Sequence, residues 1–292
     1  MEEAERKRRE VREGYAKIAT EGLCCSPTTS CIDSPMAHEE LGKKMGYTGK
    51  ELESVPEGAN LGLGCGNPVA LASLKEGETV VDLGSGAGLD CFLAAKRVGE
   101  MGKVIGVDMT PEMVDKARAN AKKGDYQNVE FRLGEIENLP IADNTADAII
   151  SNCVINLTPN KKRVFKEAFR TLKPKGRLMV SDIVLLKELP ETIKNRAHAA
   201  SCVKGAIMKD KYIEAIKQAG FQDVTIIKEE QYPFEDLAND PDAKIIVANP
   251  NKNTQELKRV SELEKEAKEM VKEILASTES VNISATKPAG AV

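Results

Sequence analysis

The sequence predicts an α/β protein: a doubly wound, mostly parallel sheet of seven strands, the last antiparallel, with an N-terminal helical segment and a C-terminal helical tail. Three observations carry this. From Thr79 onward, short apolar runs alternate with segments of helical periodicity, as in a parallel sheet covered by helices on both faces. The first run, VVDL, enters a glycine-rich turn, GSGAG, that opens a helix. The second run ends on an acid, Asp108, about twenty residues beyond that turn.

The elements follow in order. Residues 1–20 read as a helix whose ERKRR run, set among glutamates, is a solvated face. GLCCSPTTSC is a loop carrying Cys24, Cys25 and Cys31. ELGKKMGYTGKELESVP gives two short helical pieces broken by Gly46 and Gly49, and LGLGCGNPVALASL is glycine-rich and then apolar. TVVDLG is the first strand, followed by a helix from Leu89 to about Val98. KVIGVDM is the second strand, and PEMVDKARANAKK a helix with Pro111 at its start. VEFRLGE and DAIISNC are the third and fourth strands. KKRVFKEAFRTLK is a helix stopped by Pro174 and Gly176, and RLMVSDIVL is the fifth strand. Lys187 to Met208 interrupts the alternation and offers room for a substrate-binding insertion. KDKYIEAIKQAG (helix) and VTIIKEE (strand) resume it, and AKIIVANP closes the sheet as an antiparallel partner. From Asn253 a charged helix with a thin apolar stripe leads to STESVNISATKPAGAV, which has little to pack and reads as unstructured. The chain thus divides into 1–60, a main domain over 61–250 with the insertion around 187–210, and a tail over 251–292.

Composition narrows the function classes. With 292 residues, 41% of them hydrophobic, the chain can bury a large core. A net charge of −4 with bases and acids interspersed lacks the concentrated basic face of a nucleic-acid binder. No apolar run approaches the roughly 20 residues of a membrane span. The charged N-terminus does not resemble a secretory signal, so a cytoplasmic location is expected. Seven cysteines in such a setting are not a static disulfide framework. With only His38 and His198 available, histidine-based catalysis is poorly supplied. His38 reads as solvated, whereas His198, four residues before Cys202, could share its helix face.

The glycine turn carries chemistry. Gly84, Gly86 and Gly88 let the backbone bend and approach a ligand, and Asp108 is placed to accept ribose hydroxyls. Asp82, before the glycines, suits a cationic ligand better than a pyrophosphate. With GEIENLP after the third strand, these motifs resemble class I S-adenosylmethionine methyltransferases. The resemblance implies that Asp82, Gly84, Ser85, Gly86 and Gly88 hold the methionine end and Asp108 the ribose. It implies Met109 beside the adenine and Glu135 and Ile136 near its edge. Asn152 and Asn156 could position Cys153 or the cofactor, or serve as ordinary caps.

Cys153 lies at the carboxyl end of the fourth strand, where ligands of such sheets bind. Cys65 is flanked by glycines, and Cys202 lies in the insertion. Thiolates select soft centres. Zinc favours paired spacings that these isolated cysteines lack, so no permanent metal is expected. Trivalent arsenic takes three sulfurs and keeps its lone pair. GLGCGNP, VVDLGSGAGLDCFLAA, GVDMTPEM, GEIENLP, SNCVINL and SCVKGA together resemble the arsenite methyltransferases, from about Tyr15 through Val224. That resemblance implies As(III) on Cys65, Cys153 and Cys202, delivered as a thiol complex, its lone pair attacking the sulfonium methyl. It also implies disulfide exchange involving an N-terminal cysteine, with thioredoxin or a small thiol as reductant; Cys24, Cys25 and Cys31 are all candidates. Cys91, at the start of the helix after the glycine turn, reads as packing. Two alternatives remain: a C- or O-methyltransferase of quinone-precursor type, and a non-catalytic thiol-based As(III) sensor.

Overall fold

A computed structural model of the chain describes residues 2–21, 35–196, 202–231 and 272–290. Four helices precede the sheet: α1 (Glu2–Glu21), α2 (Pro35–Lys44), α3 (Gly49–Glu53) and α4 (Pro68–Leu71). Then come β1 (Thr79–Leu83), α5 (Leu89–Val98), β2 (Lys103–Asp108), α6 (Pro111–Lys123), β3 (Val129–Leu133) and β4 (Ala146–Asn152). A 3-10 turn, Ile155–Leu157, leads to α7 (Lys161–Thr171) and β5 (Leu172–Leu185). The short helices α8 (Glu191–Arg196) and α9 (Cys202–Gly205) follow, then α10 (Lys209–Gln218), β6 (Gln222–Glu230) and β7 (Thr278–Thr286).

Local chemistry sets several of these boundaries. Thr48 caps α3 in a reciprocal box with Glu51. Asn67 and Asn160 cap α4 and α7, each accepting a backbone N–H from the first turn. Pro111 opens α6, where a missing N–H costs nothing.

The seven strands form one sheet in the order β3-β2-β1-β4-β5-β7-β6. β1 to β5 run parallel, and β7 lies antiparallel between β5 and β6. Adjacent strand residues point to opposite faces. Val81, Ile149 and Val180 therefore pack under α7 and α10 with Phe165 and Tyr212. Val80, Ile150 and Met179 pack under α5 with Phe92 and Leu93. The reversal of strand order falls between β1 and β4, which opens a crevice at their carboxyl ends.

Two expectations need correction. AKIIVANP, expected as the antiparallel partner, lies outside the described residues; among the described residues the antiparallel strand is TESVNISAT, assigned from sequence to an unstructured tail. Its small polar residues alternate with Val281, Ile283 and Ala285, all within 1% of full burial. That is the period of a strand whose core partners come from elsewhere. A boundary at residue 250 therefore does not separate the tail from the main sheet. The N-terminal helix is also not simply solvated. Val11 is fully buried, and Arg8 reaches Glu137 at 2.9 Å and Glu135 at 3.3 Å. Most of the charged segment beginning at Asn253 lies outside the described residues.

Candidate active site

A cavity occupies the crevice at the carboxyl ends of β1, β2 and β4. Its walls include Asp82, Gly84, Ser85, Gly86, Asp108, Met109, Glu135, Ile136, Asn152, Cys153 and Cys202. Helix α1 covers it with Arg8, Val11, Tyr15 and Ile18. Among the described residues no helix is long and apolar enough to cross a membrane.

One half of the cavity is acidic. The Asp108 carboxylate accepts from Gly86 N at 3.0 Å and Thr110 N at 2.8 Å, which fixes it at the tip of β2. Asp82 is buried at the base, where it accepts from the Cys91 thiol at 3.2 Å. Burial, with Asp90 nearby, pushes its carboxyl well above the usual range. Asp90, in the first turn of α5, accepts from Tyr47 OH at 2.7 Å and Asn152 Nδ2 at 3.2 Å. Burial raises Asp90 to about 6. Gly86 has φ of 50° and a Cβ added there would meet open space, so the turn leaves a bare backbone cradle. The buried Ser85 hydroxyl has no hydrogen-bond partner among the described residues. Gly88 is absent from the cavity wall; a Cβ there would strike Phe92 and Phe131, so it serves helix–sheet packing. Glu135 lines the cavity while pairing with Arg8 and, at 3.7 Å, with Arg12.

The other half carries thiols. Cys153 follows β4 with φ of 56°, a left-handed conformation that costs an L-residue roughly 1–2 kcal/mol. Its N–H donates to Ser181 O at 2.8 Å, which ties this turn to β5. Its thiol is in hydrogen-bonding contact with both Cys202 and Cys65. The contact with Cys202 favours the thiolate. The contact with Cys65, burial and the charge of Asp182 outweigh it, so the Cys153 thiol stands well above its ordinary value. Cys202 donates its S–H to Cys153 O at 2.7 Å. Cys65 lies behind the cavity wall, its S–H donating to Ser181 O at 3.4 Å. Asn152 joins the two halves. Its Oδ1 accepts from Cys65 N at 3.0 Å, and its Nδ2 donates to Gly66 O at 2.7 Å as well as to Asp90.

The Sγ atoms of Cys65 and Cys153 and a carboxylate oxygen of Asp182 all lie within 4.8 Å of one another. Asp182 is fully buried on β5 and raised to about 6 by that burial. It accepts from Asn156 Nδ2 at 2.8 Å, Ile183 N at 2.9 Å and Tyr212 OH at 2.9 Å. Lys161, mostly buried on α7, is lowered to about 8 by burial and by Lys7.

The chain matches the family described as Methyltransferase domain over residues 74–220, half its length. It belongs to the methyltransferase-domain family. An arsenite methyltransferase of Halobacterium salinarum is 47% identical to this chain over 235 residues, 78% of this chain and 60% of the relative. One from Aquipseudomonas alcaligenes is 38% identical over 183 residues, 60% of this chain and 52% of that protein. The crystal structure of an arsenic(III) S-adenosylmethionine methyltransferase from Chlamydomonas reinhardtii superposes with a TM-score of 0.59 at 29% identity. That match covers 86% of this chain and 75% of that one. The chain thus spans about 60% of the length of its Halobacterium relative.

Three of the residues that build the site escaped the sequence reading. Asp182 is a single acid inside the apolar run RLMVSDIVL, and an ionisable group in a buried strand was the signal. Asp90 and Tyr47 gave none, because their pairing spans 43 positions. His38, expected in solvent, is half-buried, and its carbonyl accepts from Asn60 Nδ2 at 2.7 Å. Asn156 is fully buried and holds Asp182. Cys91 is buried, donating to Asp82. Cys24, Cys25, Cys31 and His198 lie outside the described residues.

Proposed function

We propose that the chain is an S-adenosylmethionine-dependent methyltransferase acting on trivalent arsenic held by the thiolates of Cys65, Cys153 and Cys202. The observation that carries this is the contact of Cys153 with both other thiols at the mouth of an acid-lined crevice. The residues present fit the cofactor. The open cradle at Gly86 admits a ligand against bare backbone, and the unpartnered Ser85 hydroxyl is available to it. Asp82 and Asp90 suit a cationic methionine end, and Asp108 suits vicinal hydroxyls. When bound, S-adenosylmethionine supplies an electrophilic methyl group.

The chain supplies position. Arsenic arrives as a complex with small thiols and exchanges onto the cysteines, each new As–S bond releasing one small thiol. Three sulfurs leave the arsenic lone pair free as the nucleophile, so no general base is required. α1 and the apolar wall of Val11, Leu157 and Ile183 exclude water from this pocket. Replacement of Cys153 by serine is expected to abolish both As(III) binding and methylation; full activity in Cys153→Ser would remove the central claim.

Methylation formally oxidises arsenic to the pentavalent state. Two protein thiols then form a disulfide, their electrons return arsenic to As(III), and thioredoxin or a small thiol reduces the disulfide. Cys24, Cys25 and Cys31 are the candidates for this step. A chain with all three replaced by serine is expected to stall after the first turnover, and sustained turnover would contradict the redox step.

A further inference from the structure

We infer that Cys65, Cys153 and Asp182 form a binding site for a thiophilic divalent cation of the zinc–cadmium class, overlapping the thiols. This rests on side-chain positions and stands whether or not the same thiols take arsenic. The three ligating atoms lie within 4.8 Å of one another. A tetrahedral zinc site has Zn–S near 2.3 Å and Zn–O near 2.0–2.2 Å, so its ligand atoms are roughly 3.5–3.8 Å apart. Each pair therefore has to close by about 1 Å or so at most.

The carboxylate is already held as a ligand would be. Asn156 and the Ile183 N–H hold Oδ1, and Tyr212 OH holds Oδ2. Such outer contacts orient a ligating carboxylate and raise its affinity. All three donors are neutral, and the one cation whose charge bears on the buried carboxylate, Lys161 on α7, is not among its hydrogen-bond donors. The thiols are equally anchored: Cys65 N donates to Asn152, and Cys153 N donates to Ser181 O. Cys202, already touching Cys153, or a water completes the tetrahedron. Binding releases one proton for each ligating thiol: two with a water as fourth ligand, leaving two thiolates and one carboxylate around the dication, and three with Cys202.

Asp182 separates this ligand from arsenic. As(III) is satisfied by three sulfurs and needs no oxygen donor, whereas a divalent cation gains from the carboxylate. The cation would occupy two of the three arsenic thiols and so act as a competitor.

The test uses the full chain with Cys24, Cys25 and Cys31 replaced by serine, which confines the signal to this site. Cd2+ is titrated alone, followed by the thiolate-to-cadmium charge-transfer absorbance, and As(III) is titrated in parallel. One Cd2+ per chain is expected, and Asp182→Asn is expected to weaken Cd2+ about tenfold or more while As(III) affinity stays within about twofold. Equal weakening of both, or unchanged Cd2+ affinity, would overturn the assignment. Because Asp182→Asn can disturb folding, X-ray absorption on the Zn2+-loaded chain with Asp182 intact gives an independent reading. Sulfur ligands together with oxygen at about 2.0–2.2 Å are expected. An all-sulfur shell, or no stoichiometric uptake, would refute the site.

Discussion

Asp182 shows how much a single buried group decides. Its folded pKa of about 6 stands above the 3.8 of an exposed aspartate because burial disfavours the charged form. The native state thus binds this proton more tightly than the unfolded chain, and the sign follows. Its contribution to stability is complete below the unfolded value and is lost as pH rises through about 6. The rise from 3.8 to about 6 corresponds to about 3 kcal/mol. Urea unfolding between pH 4 and pH 7 is expected to show a loss smaller by about 3 kcal/mol in Asp182→Asn than in the parent chain, the remainder coming from Asp90 and Asp82; parallel pH profiles would contradict it. Asn152 acts on position instead, since its amide holds both the Cys65 backbone and Asp90. The glycine turn, Asp82 and Asp108 were legible in the sequence because their geometry is local to one strand–turn–helix. The meeting of Cys65, Cys153 and Cys202 was not read from spacing: Cys65 and Asn152 alone are 87 positions apart. Only the family resemblance brought the thiols together before the fold did.

At the scale of elements, β7 and α1 depart furthest from expectation. β7 pairs with β5 from Leu185↔Thr278 to Arg177↔Thr286, across roughly a hundred residues. No local signal announces that partnership, and serine, threonine and asparagine at alternate positions disguise the strand. Ile283 is 1% exposed in the main core. Ile283→Ala is expected to cost about 2–5 kcal/mol, read from the urea midpoint; an effect below about 0.5 kcal/mol would place this strand outside the core. Helix α1 is latched to the rim of the cavity by Arg8, which pairs with the nearly fully buried Glu137. Removing that guanidinium leaves a buried carboxylate without its partner. In Arg8→Ala the α1 amides are expected to exchange hydrogen about five- to thirtyfold faster, matching 1–2 kcal/mol. Unchanged exchange would mean that the remaining contacts hold the helix, the apolar ones of Val11 and Tyr15 together with the Arg12–Glu135 pair and the Lys7 bond to Thr158 O.

The whole molecule places an acid-lined crevice beside a thiol cluster at the point where the strand order reverses. Fold alone does not select a reaction. A sheet of this order serves any acceptor that can reach the carboxyl ends of β1 and β4, and the thiols are what distinguish this one. The alternation of strands and helices made the architecture legible, and the resemblance supplied the proposed acceptor. The covering helix and the partners of the buried Asp182 emerged only once distant segments were brought together. The direct measurement is to incubate the full chain with methyl-labelled S-adenosylmethionine, a reduced thiol and arsenite, and then identify the labelled products. Label in methylated arsenic species, dependent on arsenite and absent from Cys153→Ser, is the expected result. Label in an organic acceptor regardless of arsenite, or arsenite binding without any transfer, would contradict it.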